Sequence, residues 1–135
     1  CKNNGSYKLS CDQTIDSLSD STKIQTSHKK YSDHLFVFKS RSHSNDEFES
    51  WVENNVNDYE LIQKGSSIKF CEIAEGKADL YPRCGPTSEW DIAAGHLILT
   101  EAGGEVKSID QKKIFYNLKE NVINPHFIAS CKYTK

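Results

Sequence analysis

The sequence predicts an α/β domain: a mostly parallel sheet of about five strands with helices on both faces. Three observations lead there. Short apolar runs such as Leu35–Lys39 carry the pattern of buried strands. Segments with apolar residues three and four apart alternate with them, as amphipathic helices do. The connections between are short and built on Gly, Ser and Pro. A chain of 135 residues is long enough for one core and not for two.

Residues 1–34 are polar and rich in Ser, Thr, Lys and Asp, and they read as a hairpin or irregular segment. Ser6–Leu9 and Lys23–Thr26 are its candidate edge strands, and no helix is expected there. The sequon Asn4-Gly5-Ser6 reads as a turn. The α/β domain spans 35–135. Leu35–Lys39 is its first strand. Ser42 and Ser44 offer N-caps to a helix over Glu47–Asn55, in which Phe48, Trp51 and Val52 recur at i, i+3, i+4. Tyr59–Gln63 is a strand. Gly65-Ser66-Ser67 then opens a helix carrying Ile68, Cys71 and Ile73, with Gly76 as its stop. Ala78–Arg83 is a strand, closed by the turn Gly85-Pro86-Thr87. The most legible helix follows, with Trp90, Ala93, Ala94, Leu97 and Ile98 as its apolar stripe and Gly103-Gly104 as its end. Glu105–Ile109, Lys113–Tyr116 and Phe127–Cys131 complete the strands.

Composition excludes several classes. A formal net charge of -2 leaves no electrostatic footprint for nucleic acid or an anionic membrane. The longest apolar runs are far too short to span a bilayer. Five cysteines, with no C-x-x-C and no zinc-finger histidine spacing, read as reduced thiols of a cytoplasmic protein. Cys71 and Cys131 lie among apolar residues as core side chains. The chain opens on Cys1 and contains no methionine, which points to a boundary cut within a longer protein.

The decisive segment is Glu89-Trp90-Asp91-Ile92-Ala93-Ala94-Gly95, continued by Thr100-Glu101-Ala102-Gly103-Gly104. Asp91 falls three residues after Ser88, in a helix first turn, where a carboxylate complements exposed N–H groups and the helix dipole. That local role is one reading. The other is that a carboxylate fixed at an element terminus offers an oxygen to a hard cation such as Mg²⁺. Trp90 can then pack in the core and orient Asp91, while Ala93, Ala94 and Gly95 allow close helix approach. Ser66 and Lys69 fall at the cap and third position of a helix N-terminus, a geometry suited to anions. Lys69 reads alternatively as a solvated helix lysine, and Arg83 as a surface arginine at a strand end. His43 follows a strand end, where ligand crevices of open α/β sheets lie, or serves simply as a loop or capping histidine. His96 reads as a packing residue.

The pattern W-D-x-A-A-G followed by E-A-G-G resembles the C-terminal signature of inositol-monophosphatase-like phosphatases. Gly65-Ser66-Ser67-Ile68-Lys69-Phe70-Cys71, Leu80-Tyr81-Pro82-Arg83, Gly85-Pro86-Thr87, Ser40-Arg41-Ser42-His43 and Asn124-Pro125-His126-Phe127 resemble the CysQ-type branch, the 3'(2'),5'-bisphosphate nucleotidases. The similarity runs from about Leu35 to Ala129. It implies a phosphatase in which two or three Mg²⁺ ions bind the phosphate and activate water, acting on adenosine 3',5'-bisphosphate to give AMP and phosphate. It implies that Asp91 is a metal ligand and that His43, Ser66, Lys69 and Arg83 contact the nucleotide, Ser66 and Lys69 at the phosphate that is not cleaved. Most metal ligands of such enzymes lie in an N-terminal domain, in a Glu-Glu pair and an Asp-Pro-x-Asp-Gly-Thr/Ser motif. This chain contains no Asp-Pro and no Asp-Gly. Residues 35–135 are therefore expected to be the C-terminal domain, inactive alone, with the missing N-terminal half as partner. An inositol monophosphatase is the near alternative, disfavoured by Lys69 and Arg83, which a single phosphate does not need. A non-catalytic α/β binding module is the alternative from another class.

Overall fold

The structure, a computed structural model, describes residues 3–10, 21–41 and 45–132. Strands β1 (Ser6–Lys8) and β2 (Thr22–Ile24) pair antiparallel as a small ribbon. The larger sheet contains β3 (Leu35–Ser40), β4 (Tyr59–Lys64), β5 (Leu80–Arg83), β6 (Glu105–Ser108) and β7 (Phe127–Ser130), in the order β4-β3-β5-β7-β6. β4, β3 and β5 are parallel, and β7 runs antiparallel to both β5 and β6. Four strands thus share one direction, which meets the expectation of a mostly parallel sheet. β7 is reversed because the stretch 109–126 crosses back without a helix, and an antiparallel return needs none.

Helices lie on both faces. From α1 (Asp46–Asn55), Phe48 and Val52 pack with Val56 on Leu35, Val37, Leu80 and Ile128. α2 (Ile68–Ala74) and α3 (Glu89–Glu101) cover the other face, where Phe70, Ile73, Ile92 and Leu99 meet Phe38, Tyr81, Phe127 and Ala129. Adjacent Val37 and Phe38 serve opposite cores, as the strand period of two requires. The chain steps from β3 outward to β4, then back past β3 to β5. Since such crossovers are right-handed, opposite steps put α1 and α2 on opposite faces.

Several local expectations need correction. The cap of α1 is Asn45, whose Oδ1 accepts from the Phe48 amide at 3.1 Å while its Nδ2 donates to the Cys84 carbonyl; Ser42 and Ser44 lie outside the described residues. Lys113–Tyr116 is not a strand. Only Lys107↔Lys113 bridges there, because the turn at Ser108–Gln111, with Gln111 at φ 62°, sends the chain off the sheet. Ile114 then enters the core. Within α2 the buried residues are Lys69, Phe70, Ile73 and Ala74, so Ile68 is exposed and Cys71 half-buried; Cys131 is fully buried. The buried residues of α3 are Glu89, Ile92, Gly95 and Leu99; of the expected stripe, Ile98 packs partly buried against the core, while Trp90 and Leu97 are exposed. Among the described residues no helix is long and apolar enough to cross a membrane.

Candidate functional site

A cleft of about 520 Å³ opens at the carboxyl ends of β3 and β5. This is where the chain reverses its direction of travel across the sheet, the position at which open α/β sheets form crevices. Sequence deepens it. The β3–β5 ladder is reduced to the single pair Val37↔Leu80, and Pro82, two residues on, has no N–H to extend it.

The cleft brings together Ser66, Lys69, Arg83, Trp90 and Asp91, five of the residues singled out in the sequence. Lys69 is only 3 % exposed and Arg83 6 %, so both alternatives of a solvated surface cation are corrected. Among the described residues neither forms an ion pair with a carboxylate. Lys69 Nζ donates to the carbonyls of Ser66 at 2.8 Å and Lys64 at 3.1 Å, and lies 4.5 Å from the centroid of the Tyr81 ring. Burial, then the Arg83 and Arg41 guanidiniums, lowers the Lys69 pKa to about 8. Arg83 Nη2 donates to the Pro86 carbonyl at 3.0 Å, and its buried Nε has no partner. Unpaired buried cations are costly, so the arrangement is suited to receive an anion.

Ser66 is not the helix cap. Ser67 holds that place, which makes Lys69 the second helical residue, and Ser66 precedes it at φ 64°. That left-handed turn aims the Ser66 carbonyl at Lys69 Nζ.

Across the cleft, Asp91 stands in the first turn of α3, exposed to the crevice. Its Oδ2 accepts from the Ser88 amide at 2.8 Å, so the local capping role holds, and no cation of the described residues pairs with it. Trp90 is 70 % exposed and cannot orient Asp91 from the core. The inward place of that turn belongs to Glu89, which accepts from the Asn117 amide and pairs with Lys119. Gly95 is the small residue that matters for approach. A Cβ there would stand 2.8 Å from Phe70 Cδ2 and Cγ, so glycine lets α2 lie against α3. Ala93 and Ala94 do not line the cleft, and Ala94 is exposed. His43 lies outside the described residues. His96 bonds the Tyr116 hydroxyl at 2.6 Å, away from the cleft lining, as a packing residue would.

Ser40, Tyr81 and Thr87, quoted in the sequence motifs without a site role, also line the cleft. Tyr81 was legible: it sits two residues before Arg83 and therefore on the same face of β5. Asn124 holds Thr87 through long-range contacts that no local pattern announces, its amide donating to the Thr87 carbonyl at 2.8 Å and its Nδ2 to Thr87 Oγ1 at 3.2 Å. As for metal, among the described residues no three His, Cys, Asp or Glu side chains converge. Asp91 is a single carboxylate, and the described residues do not by themselves make a metal centre.

Comparison with known proteins fits this geometry. The model of the inositol monophosphatase family matches residues 1–133. The 3'(2'),5'-bisphosphate nucleotidase CysQ of Salmonella typhimurium is 46% identical over 91 residues, 67% of this chain and 37% of that protein. The Escherichia coli CysQ is 42% identical over 94 residues, 70% of this chain and 38% of its own. The crystal structure of CysQ from Bacteroides thetaiotaomicron superposes with a TM-score of 0.82 at 38% identity, covering 98% of this chain and 52% of that one. The chain thus matches about half the length of these relatives, or less. It belongs to the inositol monophosphatase family.

Proposed function

We propose that the protein carrying this chain is a Mg²⁺-dependent 3'(2'),5'-bisphosphate nucleotidase, hydrolysing adenosine 3',5'-bisphosphate to AMP and phosphate. The observation that carries the reading is the pair of buried cations, Lys69 and Arg83, lining the same cleft as Asp91 without a carboxylate partner among the described residues. A substrate with one phosphate to lose and one to keep needs both ends of such a cleft. The retained phosphate would sit at Lys69 and Arg83 with Ser66, its charge replacing the missing counter-ion. Asp91 would face the phosphate that leaves, and His43 would contact the nucleotide. The names of the CysQ relatives, 3'(2'),5'-bisphosphate nucleotidases, support that substrate class.

The ions that this chemistry calls on would take Asp91 as one ligand and draw the others from the part of the protein that precedes this chain. A hard cation there supplies charge to the cleaved phosphate. Of the described residues, Ser66, Lys69 and Arg83 would bind and orient the end of the substrate that stays.

The test is substrate preference of the full-length protein with Mg²⁺. Adenosine 3',5'-bisphosphate should be turned over in preference to inositol 1-phosphate. Preference for inositol 1-phosphate would assign the protein to the inositol monophosphatase branch, and inertness toward both would make it a binding module.

A further inference from the structure

The Lys69 ammonium is held in an unusual setting, and one residue outside the expected ligand set accounts for it. It is buried on α2 and faces other cations: Arg41 beyond the end of β3, and Arg83 on β5. Lys64, at the end of β4, pairs with Glu72 of α2 at 2.8 Å and so brings no free carboxylate. Asp91 of α3 lines the same cleft but binds the Ser88 amide. Two carbonyls accept from Lys69 on one side. On the other side lies the face of Tyr81, 4.5 Å from the ring centroid to Nζ.

That ring is fixed. Tyr81 is buried, stands edge-on to Phe70 at 5.8 Å and to Phe127 at 5.7 Å, and these two stack on each other at 5.9 Å. Phe70 follows Lys69 directly on α2, and Phe127 pairs with Arg83 across the β5–β7 ladder. The aromatic cluster therefore ties the backbone of both cations to one rigid floor. The negative face of an aromatic ring attracts a cation without neutralising it, unlike a carboxylate, which would compete with an incoming phosphate.

We propose that Tyr81 is the positioning residue of the anion site, its ring face holding the Lys69 ammonium charged and aimed beside Arg83 in the absence of ligand. The role rests on the anion-site reading given above. Tyr81 acts through Lys69 and need not touch substrate.

The experiment uses the full-length protein with Tyr81→Leu, which removes the ring face, and Tyr81→Phe, which keeps it. The first arm needs no substrate: ¹³C NMR titration of the lysine side chains, with Lys69 identified by its loss in Lys69→Gln. Tyr81→Leu should move the Lys69 midpoint below that of the wild type, and Tyr81→Phe should leave it in place. The second arm is kinetic. Tyr81→Leu should raise KM for adenosine 3',5'-bisphosphate about tenfold, the size expected of one desolvated cation–π contact, with kcat and monophosphate KM unchanged. The Tyr81 hydroxyl also interacts with Arg83, so the Lys69 midpoint decides: an unmoved midpoint in a folded Tyr81→Leu protein overturns the proposal, as does a midpoint lowered equally in Tyr81→Phe. Equal loss on mono- and bisphosphate would assign Tyr81 to packing alone. Absence of wild-type bisphosphate turnover would sink the nucleotidase reading while leaving the NMR arm to decide on Tyr81.

Discussion

Lys69 and Asp91 share a cleft and should fail differently when changed. If Lys69 holds the phosphate that stays, Lys69→Ala should mainly raise KM for adenosine 3',5'-bisphosphate. Loss of one charge-assisted contact is worth about ten- to a hundredfold. A monophosphate lacks the second anionic group and should hardly respond. If Asp91 is a metal ligand, Asp91→Asn should instead collapse kcat, since it replaces a charged oxygen ligand by a neutral amide. Steady-state kinetics on both substrates separates the two. The Lys69 pKa of about 8 adds a pH signature. Below that value the free site is charged, and a phosphate monoester loses its second proton near pH ~6. Bisphosphate affinity should therefore be greatest between these values and fall as pH rises through about 8. A flat affinity up to pH 10 would mean that Lys69 does not meet the phosphate.

Among elements, the α2–α3 contact sets the width of the cleft. Gly95→Ala forces Phe70 away, and overpacking of this kind costs about 1–3 kcal/mol. The change should appear as a lower Tm together with a raised bisphosphate KM, because Phe70 is joined to Lys69. The ribbon β1–β2 is tied to the other end of α3. Glu101 accepts from the backbone amides of Asn3, Asn4 and Gly5, and the Ser6 hydroxyl donates to the Ile98 carbonyl at 2.7 Å. These amide bonds, the Asn3 bond foremost, hold the Glu101 pKa below its ordinary value of 4.5. A depressed carboxylate stabilises the fold above its unfolded value, and the contribution is lost as pH falls through the folded one. Glu101→Gln should thus speed hydrogen exchange of Ser6–Lys8 at neutral pH, and the difference from wild type should vanish in acid. The E-A-G-G signature was legible in the sequence, but this docking role for its glutamate was not, since its partners lie almost a hundred residues away. The same limit explains α3. A helix apolar on nearly every side does not announce its inner face by period. The face was chosen by Gly95, whose smallness counts only once Phe70 is opposite. Strand and helix positions, by contrast, followed from local pattern, and the cleft residues Ser66, Lys69, Arg83 and Asp91 from their places at element ends. Lys113–Tyr116 read as a strand from composition, but a turn, not composition, decides where that segment goes.

At the scale of the whole molecule, the site is lopsided. One end of the cleft carries buried cations, and the other carries a single carboxylate of the described residues, Asp91. The outer side of α3 is equally unfinished: Trp90 is 70 % and Leu97 45 % exposed, on a helix whose inner side is fully packed. An apolar helix of this kind is ordinarily covered on both sides. The chain matches 52% of the Bacteroides thetaiotaomicron CysQ structure, so its relatives carry much further polypeptide. The 135 residues alone should therefore bind Mg²⁺ weakly, because one carboxylate with waters is a poor set for an ion that dehydrates reluctantly. They should show no measurable phosphatase activity, while Lys69 and Arg83 still give phosphate-dependent shifts in an NMR titration. If the protein also carries the further polypeptide of its CysQ relatives, supplying that part should restore tight Mg²⁺ binding and turnover together. Strong Mg²⁺-dependent hydrolysis by the 135 residues alone would refute this, and would require a second cluster of ligands within them.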